Sequence, residues 1–291
     1  MDRHGIVPLS QLPLSNSYMF GEVMRREEVC KLFLEALLGK KIARIEYIGK
    51  EEDLSDDYQY HGIRLDVYLE DEQGTCYDVE MQRTDQRSLE RRVRYYQSGI
   101  DRKLLEKGLD YEDLPESYVI FICDFDYYGK GFAAYERTCC VNGNAEIAYE
   151  DGSHAIILNS RYETGNVDKA ILEFLDYIRT ADDGLPVTSE LAEQAKEWVR
   201  RVRRDKTKEV PYMTWAMSIR DARKEALAEG RAEGRAEGEA RGRAEGRAEG
   251  MEKIAKLYGL LVSTGRTKEA GEMMTDTKKR DQLLKEFGFD Q

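Results

Sequence analysis

Two acidic residues and a glutamine are spaced so that they could do chemistry together with a metal ion. The stretch "RLDVYLEDEQGTCYDVEMQR", residues 64–83, contains Asp66, Glu80 and Gln82. Apolar and polar residues alternate in both halves of the stretch, which predicts two strands with one apolar face each. Carboxylate oxygens are ligands that suit Mg²⁺ and Mn²⁺. If the strands bring the two acids together, a metal site that acts on phosphate esters is a natural hypothesis.

The turn between the two strands decides whether the acids meet. A three-residue loop, Glu72-Gln73-Gly74, fits the sequence and puts Gly74 in the left-handed conformation. In that register Asp66 lies directly opposite Glu80, and Arg64 lies opposite Gln82, on one face of the hairpin. A shift by one residue would separate the acids, so the predicted site depends on this turn.

Two facing carboxylates repel each other by about 4 kcal/mol at a separation of about 4 Å and an effective dielectric constant of about 20. A bound proton, a nearby arginine or a divalent cation would relieve the repulsion. For a cation, Asp66, Glu80 and the backbone carbonyl of Met81 are the predicted ligands. The alternative is a solvated polar face on which Arg64 pairs with either acid, and the spacing alone leaves both open.

Composition and charge exclude several classes of protein. The chain has 291 residues, five cysteines and three histidines, without a CxxC pair, which argues against a zinc site and against a disulfide scaffold. The net charge of −12 argues against a generic nucleic-acid binder, although a nuclease needs acidic clusters. No apolar run reaches the length of a membrane span, and the first fifteen residues do not resemble a secretory signal. We therefore expect a cytoplasmic protein that does not contact a membrane.

Periodicity predicts the elements that position these residues. A helix is expected from Ser15 or Ser17 to Gly39, and a second from Thr84 or Asp85 to Gly108. The run "SYVIFICDFD", residues 117–126, is apolar throughout and predicts a strand that is buried on both faces. Further strands are predicted over 42–49, 131–141 and 154–160, and a helix over 167–178.

The C-terminal part has a different character. We expect a first domain over 14–180, a helical extension over 186–224 and a small helical element over 251–291. Between the last two, residues 225–250 repeat a four-residue unit with glycine at every fourth position from 230 to 250. Each interior glycine costs a helix about 1 kcal/mol relative to alanine, which predicts a solvated and only partly helical spacer. A Gly/Ala ribbon that another helix approaches closely is the alternative.

The motifs also resemble a known family. The segments "RLDVYLEDEQGTCYDVEMQ", "RVRYYQSGIDRKLLEKGLDYEDL" and "SYVIFICDFDYYGKG", and the glycine-rich tail, are similar to the Rpn family of recombination-promoting nucleases or putative transposases. The resemblance covers about residues 14–220. It implies an α/β fold with a PD-(D/E)XK restriction-endonuclease-like core (helix, mixed sheet, helix, strand) and a helical C-terminal extension. It also implies a metal-dependent DNA endonuclease of the bacterial cytoplasm, linked to recombination or mobile elements, with Mg²⁺ or Mn²⁺ as cofactor.

The resemblance assigns roles to individual residues. Asp66 and Glu80 match the two acids of the motif, and Gln82 stands where the superfamily has a lysine. A glutamine can orient water but carries no charge, so stabilisation of the transition state must depend more on the metal and on arginines. The resemblance further suggests Glu22 as an accessory metal ligand. Residues that would border the site are Tyr95 and Gln97.

Three arginines are candidates for contact with DNA. Arg87, Arg91 and Arg94 are spaced i, i+4, i+7 and would share one face of the predicted helix, where they could bind phosphates. The alternative is a solvated face without function. A second basic cluster, "RRVRRDK" over 200–206, lies outside the nuclease-like part.

Two functions remain open from the sequence. The first is a DNA endonuclease that hydrolyses phosphodiester bonds with Asp66, Glu80 and Gln82. The second is a catalytically weak relative that binds DNA or protein and whose helical tail mediates assembly. In either case DNA is the expected partner, and the C-terminal helical region is the expected route to a homo-oligomer.

Overall fold

The computed structural model describes residues 6–47, 66–85, 87–105, 108 and 110–289. The chain divides into two compact units, Met1–Thr214 and Trp215–Gln291. Arg64, which the hairpin register pairs with Gln82, lies outside the described residues.

The first unit alternates helices with strands. Its elements in chain order are α1 Ser17–Met24, α2 Glu27–Leu38, β1 Ile45–Tyr47, β2 Val67–Asp71, β3 Cys76–Gln82, α3 Leu89–Leu104, β4 Ser117–Cys123, β5 Ala134–Glu136, β6 Cys140–Val141, β7 Asn144–Ala148, β8 Ser153–Asn159, α4 Lys169–Thr180 and α5 Glu190–Arg204. Helix α6, Glu209–Ser263, follows α5, and α7 Thr267–Thr275 and α8 Thr277–Glu286 end the chain.

Six strands form a mixed sheet with the order β1-β2-β3-β4-β8-β5. Strands β3, β4 and β8 are parallel, whereas β1, β2 and β5 pair with their neighbours in the antiparallel sense. The predicted α/β class with a mixed sheet and helical C-terminal region is therefore confirmed.

The hairpin between β2 and β3 has the predicted register. Val67 pairs with Val79, and Leu69 pairs with Tyr77. Gly74 has φ +82°, and the Asp71 N–H donates to the Thr75 carbonyl at 3.0 Å, which closes the three-residue loop. A glycine at this left-handed position therefore fixes which side chains share a face.

The first predicted helix is two helices. Asn16, not a serine, caps α1, and its side chain accepts hydrogen bonds from the backbone N–H groups of Tyr18 and Met19. The backbone becomes extended at Arg26, and Gly39 ends α2 with φ +66° as predicted. The Arg25 guanidinium donates to the Asp66 carbonyl at 3.0 Å, so a tertiary contact coincides with the break.

A second hairpin was not predicted. The expected strand over 131–141 is divided into β5 and β6, and β6 pairs with β7 through a turn at Asn142 and Gly143. Both turn residues have positive φ, 55° and 71°, which is the conformation that Asn-Gly favours in two-residue hairpins. The Asn-Gly pair was therefore a signal for this hairpin.

Helix α3 covers one face of the sheet with an apolar stripe. Leu89, Val93 and Ile100 are buried against Phe121 and Ile157 of the central strands. The remaining helices of the first unit, α1, α2, α4 and α5, pack against one another, and α5 belongs to the residues predicted as a helical extension.

The second unit is helical. Residues 225–250, for which the sequence predicts partial helix, are helical throughout within α6. Alanine, glutamate and arginine favour helix, and i,i+4 ion pairs such as Arg241–Glu245 at 2.7 Å add to this. The end of α6 packs with α7 and α8 around Leu257, Leu261 and Met273. Among the described residues, no helix is both long and apolar enough to cross a membrane.

The glycines of α6 give a direct test of its helix. An alanine Cβ at Gly234 or Gly238 would meet no atom within 4 Å, so we expect each Gly→Ala change to stabilise the helix by about 1 kcal/mol. The measurement is helicity and thermal unfolding of the full chain by circular dichroism. Gly265→Ala is the matched control and should destabilise, because Gly265 has φ +78°. A large gain in helicity in the first two variants, or no gain in thermal stability, would contradict a continuous α6.

Candidate active site

Asp66 and Glu80 meet where β2 begins. The Asp66 backbone N–H donates to Glu80 Oε1 at 2.8 Å, and the Met81 N–H donates to Asp66 Oδ2 at 3.2 Å. The predicted opposition of the two acids is therefore present, with each carboxylate also fixed by a backbone group of the facing segment.

The face that carries these acids is not solvated. Every residue of β3 is buried, and Glu80 is only 5% exposed, because α3 packs over this side of the hairpin. The alternative of a water-exposed polar face is therefore wrong for β3. A carboxyl group that is buried needs a proton, a cation or hydrogen-bond donors to compensate for the loss of water.

A third acid lies on the same face and was missed. Asp78 is 0% exposed, and neither of its carboxylate oxygens has a hydrogen-bond partner among the described residues. It stands two positions before Glu80, so strand alternation puts both on one face. The D-x-E spacing was visible in the sequence, but it carried meaning only once the strand was known to be buried on both faces.

Burial and mutual repulsion change the protonation of these acids. Burial, followed by the charge of Asp66, raises the pKa of Glu80 to about 8. Burial, followed by the charges of Glu80 and Asp66, also raises the pKa of Asp78 well above its usual range. Burial therefore favours the protonated forms of both acids, which lie two residues apart on the same face of β3.

We expect the metal-free protein to lose stability as the pH rises from about 4.5 towards 8. An acid whose pKa is raised in the folded state binds its proton more tightly there, so its contribution is favourable below the unfolded pKa and is lost as the pH approaches the folded value. Glu80 is faced by Asp66, Asp78 and Arg92, and the net shift is upward. Thermal unfolding in EDTA should show a shallower loss for Glu80→Gln than for the wild type, and parallel curves would contradict the assignment.

Arg92 of α3 supplies the positive charge of the site. Its Nη1 donates to Gln82 Oε1 at 2.6 Å, and its Nη2 lies 3.8 Å from Glu80 Oε2. The guanidinium also lies against the rings of Phe121 and Tyr96, 4.9 and 5.4 Å from their centroids, and donates to the Tyr96 hydroxyl at 3.0 Å. Sequence reasoning missed Arg92, although it precedes the buried Val93 and lies one helical turn before Tyr96.

Gln82 is fixed on both sides of its amide. Its Nε2 donates to the Thr84 carbonyl at 2.7 Å, while its Oε1 accepts from Arg92. The amide therefore links the end of β3 to α3. The positive charge next to Glu80 is carried by Arg92 and not by residue 82.

The three arginines predicted to bind DNA do not share one helical face. Helix α3 begins at Leu89, and Arg87 precedes it with φ +59°, so the i, i+4, i+7 argument is wrong for Arg87. Arg91 and Arg94 are exposed on α3 and make no ion pair with any described residue. They remain candidates for contact with phosphate, as does Arg87.

Three further predicted residues lie elsewhere. Glu22 forms an ion pair with Lys208 at 2.7 Å, and Arg25 rather than Glu22 contacts Asp66. Tyr95 is exposed on α3. Gln97 is buried and donates to Ser117 at the start of β4, which pairs with Cys76 at the opposite end of β3 from Gln82.

The donor chemistry of the site fits a hard divalent cation. Two carboxylates face each other, and the orphaned oxygens of Asp78 with the raised pKa of Glu80 show that positive charge is under-supplied. In the part of the chain that is described, no group of three or more His, Cys, Asp or Glu side chains is arranged to hold a metal. A cation here would rest on Asp66 and Glu80 with a backbone oxygen, for which the Met81 carbonyl remains the prediction.

Comparison with known proteins gives one family. Residues 17–159 match a family described as PD-(D/E)XK nuclease family transposase. No curated protein and no solved structure matches the chain. The matched residues run from α1 to the end of β8 and include Asp66, Asp78, Glu80 and Arg92.

Proposed function

We propose, on the premise that residues 17–159 belong to the PD-(D/E)XK nuclease family transposases, that this protein is a metal-dependent endonuclease that hydrolyses DNA phosphodiester bonds. The observation that carries the proposal is the facing Asp66–Glu80 pair, in which Glu80 is buried and its pKa is raised to about 8. A fold gains no stability from such a pair, because two carboxylates that face each other repel when both are ionised. The family description supports a nuclease-like role for the matched residues.

Asp66, Glu80 and the Met81 carbonyl are the residues that would hold Mg²⁺ or Mn²⁺. The bound ion would lower the pKa of water and stabilise the charge that develops on a phosphate. The hydrogen bonds from the Asp66 and Met81 backbone groups hold the two carboxylates in place before any cation binds. Such preorganisation reduces the cost of assembling the site.

Arg92 takes the role that a lysine at position 82 would have. Its guanidinium lies within 4 Å of both Glu80 and Gln82 and cannot lose its proton, so it places a permanent positive charge beside the reacting phosphate. Gln82 orients Arg92 through its Oε1. Burial and the charges of Glu80 and Asp66 favour the protonated form of Asp78.

The biological setting follows from the family description. DNA is the proposed substrate, and a link to recombination or mobile elements is proposed because the matched family is described as a transposase. Action in the bacterial cytoplasm remains part of this proposal.

A plasmid cleavage assay on the purified full chain tests the proposal. Supercoiled DNA should become nicked or linear in Mg²⁺ or Mn²⁺ and remain intact in EDTA. Intact DNA under all metal conditions, in a preparation that unfolds cooperatively, would contradict the proposed reaction.

A second candidate function is DNA or protein binding with weak catalysis. The observation that favours it is the amide of Gln82, which has no charge and both of whose polar atoms are engaged. Under this alternative the helical tail mediates assembly, so the molecular mass in solution should fall from a multiple to a single chain when the exposed Leu260 and Val262 of α6 are replaced by serine. DNA binding without cleavage would then be the observed activity.

We expect the affinity for DNA to fall with salt in spite of the net charge of −12. If Arg87, Arg91 and Arg94 contact phosphates, each contributes a slope of about −0.9 on a log–log plot for duplex DNA. The triple alanine variant should therefore flatten the slope by almost three units, measured by fluorescence anisotropy without a cleaving metal.

The matched control for this prediction removes the same charge elsewhere. Alanine at Arg231, Arg235 and Arg247 of the exposed α6 repeat should leave the slope unchanged. Equal slopes for the wild type and the Arg87/Arg91/Arg94 variant would show that these arginines are a solvated face.

A further inference from the structure

An aromatic groove lies beside α3 on the same face of the sheet as Glu80. It has a volume of about 490 Å³ and lies between α3 and the β8–β5 edge, with Ala155 and Ile157 as its floor. Its walls carry three rings, those of Tyr128, Phe132 and Tyr135. Tyr128 and Phe132 are 42% and 43% exposed, so both rings are accessible to a ligand in the groove.

The loop that presents the two exposed rings is built around Asp126. The Asp126 carboxylate accepts hydrogen bonds from the Gly129 N–H at 3.0 Å, the Gly131 N–H at 2.6 Å and the Tyr135 hydroxyl at 2.7 Å. The Tyr135 hydroxyl in turn accepts from the backbone N–H of Phe132 at 3.2 Å. The rings are therefore held in place before any ligand binds, which reduces the entropic cost of binding.

The ring geometry leaves faces open. Tyr128 and Phe132 meet Tyr135 edge-on, at centroid distances of 4.9 and 6.0 Å and interplanar angles of 61° and 77°. An edge-to-face contact covers at most one face of a ring, and the exposed fractions of Tyr128 and Phe132 leave ring surface available for a flat partner.

The groove lies in line with the candidate active site. Gln82, Cys123 and Asn159 are the last residues of three adjacent parallel strands and pair with one another in register. Asn159 donates from its side chain to the Phe132 carbonyl at 3.0 Å, which fixes Phe132 to this edge. Glu80 pairs with Phe121, and Phe121 pairs with Ile157 of the groove floor, so two strand spacings, about 10 Å, separate Glu80 from the floor. Stacked nucleotides of one DNA strand span this distance in about three steps of 3.4 Å.

The charged residues at the groove suit a DNA strand that passes the groove opening. Lys130 lies between the two exposed rings in the chain and makes no ion pair with a described residue. Arg137 is anchored to Ser153 Oγ at 2.6 Å. Of the two acids on the wall, Glu90 accepts a hydrogen bond from the Tyr127 hydroxyl at 2.6 Å, and Glu136 is exposed. A neutral, flat group with an attached phosphate near Lys130 fits this arrangement.

We propose that the groove between Tyr128 and Phe132 binds an unpaired nucleobase of the DNA substrate about three nucleotides from the phosphate held at Asp66 and Glu80. This inference rests on the proposed nuclease function and makes its substrate single-stranded or locally unpaired DNA. Stacking on aromatic side chains tolerates every base, so the groove selects the unpaired state of the strand and not its sequence.

Binding of a labelled twelve-nucleotide oligo(dT) in EDTA tests the proposal without cleavage. The same measurement is made with a duplex of equal length and with an oligonucleotide of abasic residues. Phe132→Leu and Tyr128→Leu keep an apolar side chain but remove the ring, and each should weaken binding of oligo(dT) about tenfold, as loss of one stacked base does. Phe132→Tyr keeps a ring and should bind like the wild type. Tyr111→Leu is the matched control, because Tyr111 is 85% exposed and does not line the groove.

Each outcome separates the groove from the nuclease. Unchanged affinity of the two leucine variants, or an equal loss for the abasic strand, overturns the groove even if the protein cuts plasmid DNA. No measurable binding of oligo(dT) by the wild type overturns it as well. Binding of oligo(dT) that depends on the two rings supports the groove. If the same protein cuts no DNA in Mg²⁺ or Mn²⁺, the groove stands and the proposed nuclease function fails.

Discussion

Glu80→Gln and Asp66→Asn are expected to abolish DNA cleavage while the protein remains folded. Each change keeps the shape of the side chain and removes one of the two facing carboxylates. Loss of a residue that only supports a metal ligand typically lowers metal affinity or activity by about ten- to a hundredfold. Loss of a ligand itself should therefore lower the cleavage rate by more than about a hundredfold. Cleavage rates in Mg²⁺, together with calorimetric titration of the cation, give the two readouts.

Stability distinguishes a functional pair from a structural one. Because burial and Asp66 raise the pKa of Glu80, its ionised form is disfavoured, and Glu80→Gln should unfold at an equal or higher temperature than the wild type in EDTA at pH 8. Glu70→Gln is the control on the same hairpin and should change neither readout. A large drop in melting temperature for Glu80→Gln without metal would mean that the carboxylate holds the hairpin together.

Moving the positive charge from Arg92 to position 82 should restore activity that the loss of Arg92 removes. Arg92→Gln takes away the charge beside Glu80, and we expect a loss of about a hundredfold, similar to the loss of one preorganised donor. Gln82→Lys alone places a second cation next to Arg92 and removes the acceptor of its 2.6 Å hydrogen bond, so it should also be impaired. The combined variant has one positive charge beside Glu80 and should recover at least tenfold over Arg92→Gln.

The recovery is the informative result, because a lysine at the end of β3 would not restore the activity lost with an arginine of α3 whose role is only structural. Arg102→Gln removes the same charge from an exposed position near the other end of α3 and should leave the rate unchanged. A combined variant that is no more active than Arg92→Gln would show that Arg92 acts through packing on Tyr96 and Phe121.

Local pattern was sufficient for the hairpin that carries the acids. Alternation of period two identified both strands, and a glycine that must adopt positive φ at position 74 fixed their register. These are interactions between residues close in sequence, so the opposition of Asp66 and Glu80 followed from them. The apolar stripe of α3 and the buried β4 were predictable for the same reason, since each is a periodic signal within one element.

The surroundings of the acids were decided by tertiary structure. Whether the polar face of β3 met water depended on α3 packing over it, and that packing buries Asp78 and Glu80 and raises their pKa values. The start of α3 decided which arginine lies beside the acids. Its first residue is Leu89, so Arg87 lies outside the helix and Arg92 contacts Gln82. Sequence spacing gives the angle between residues on one helix. The side of the helix that faces the sheet is set by the burial of its whole apolar stripe, which depends on contacts with residues distant in sequence.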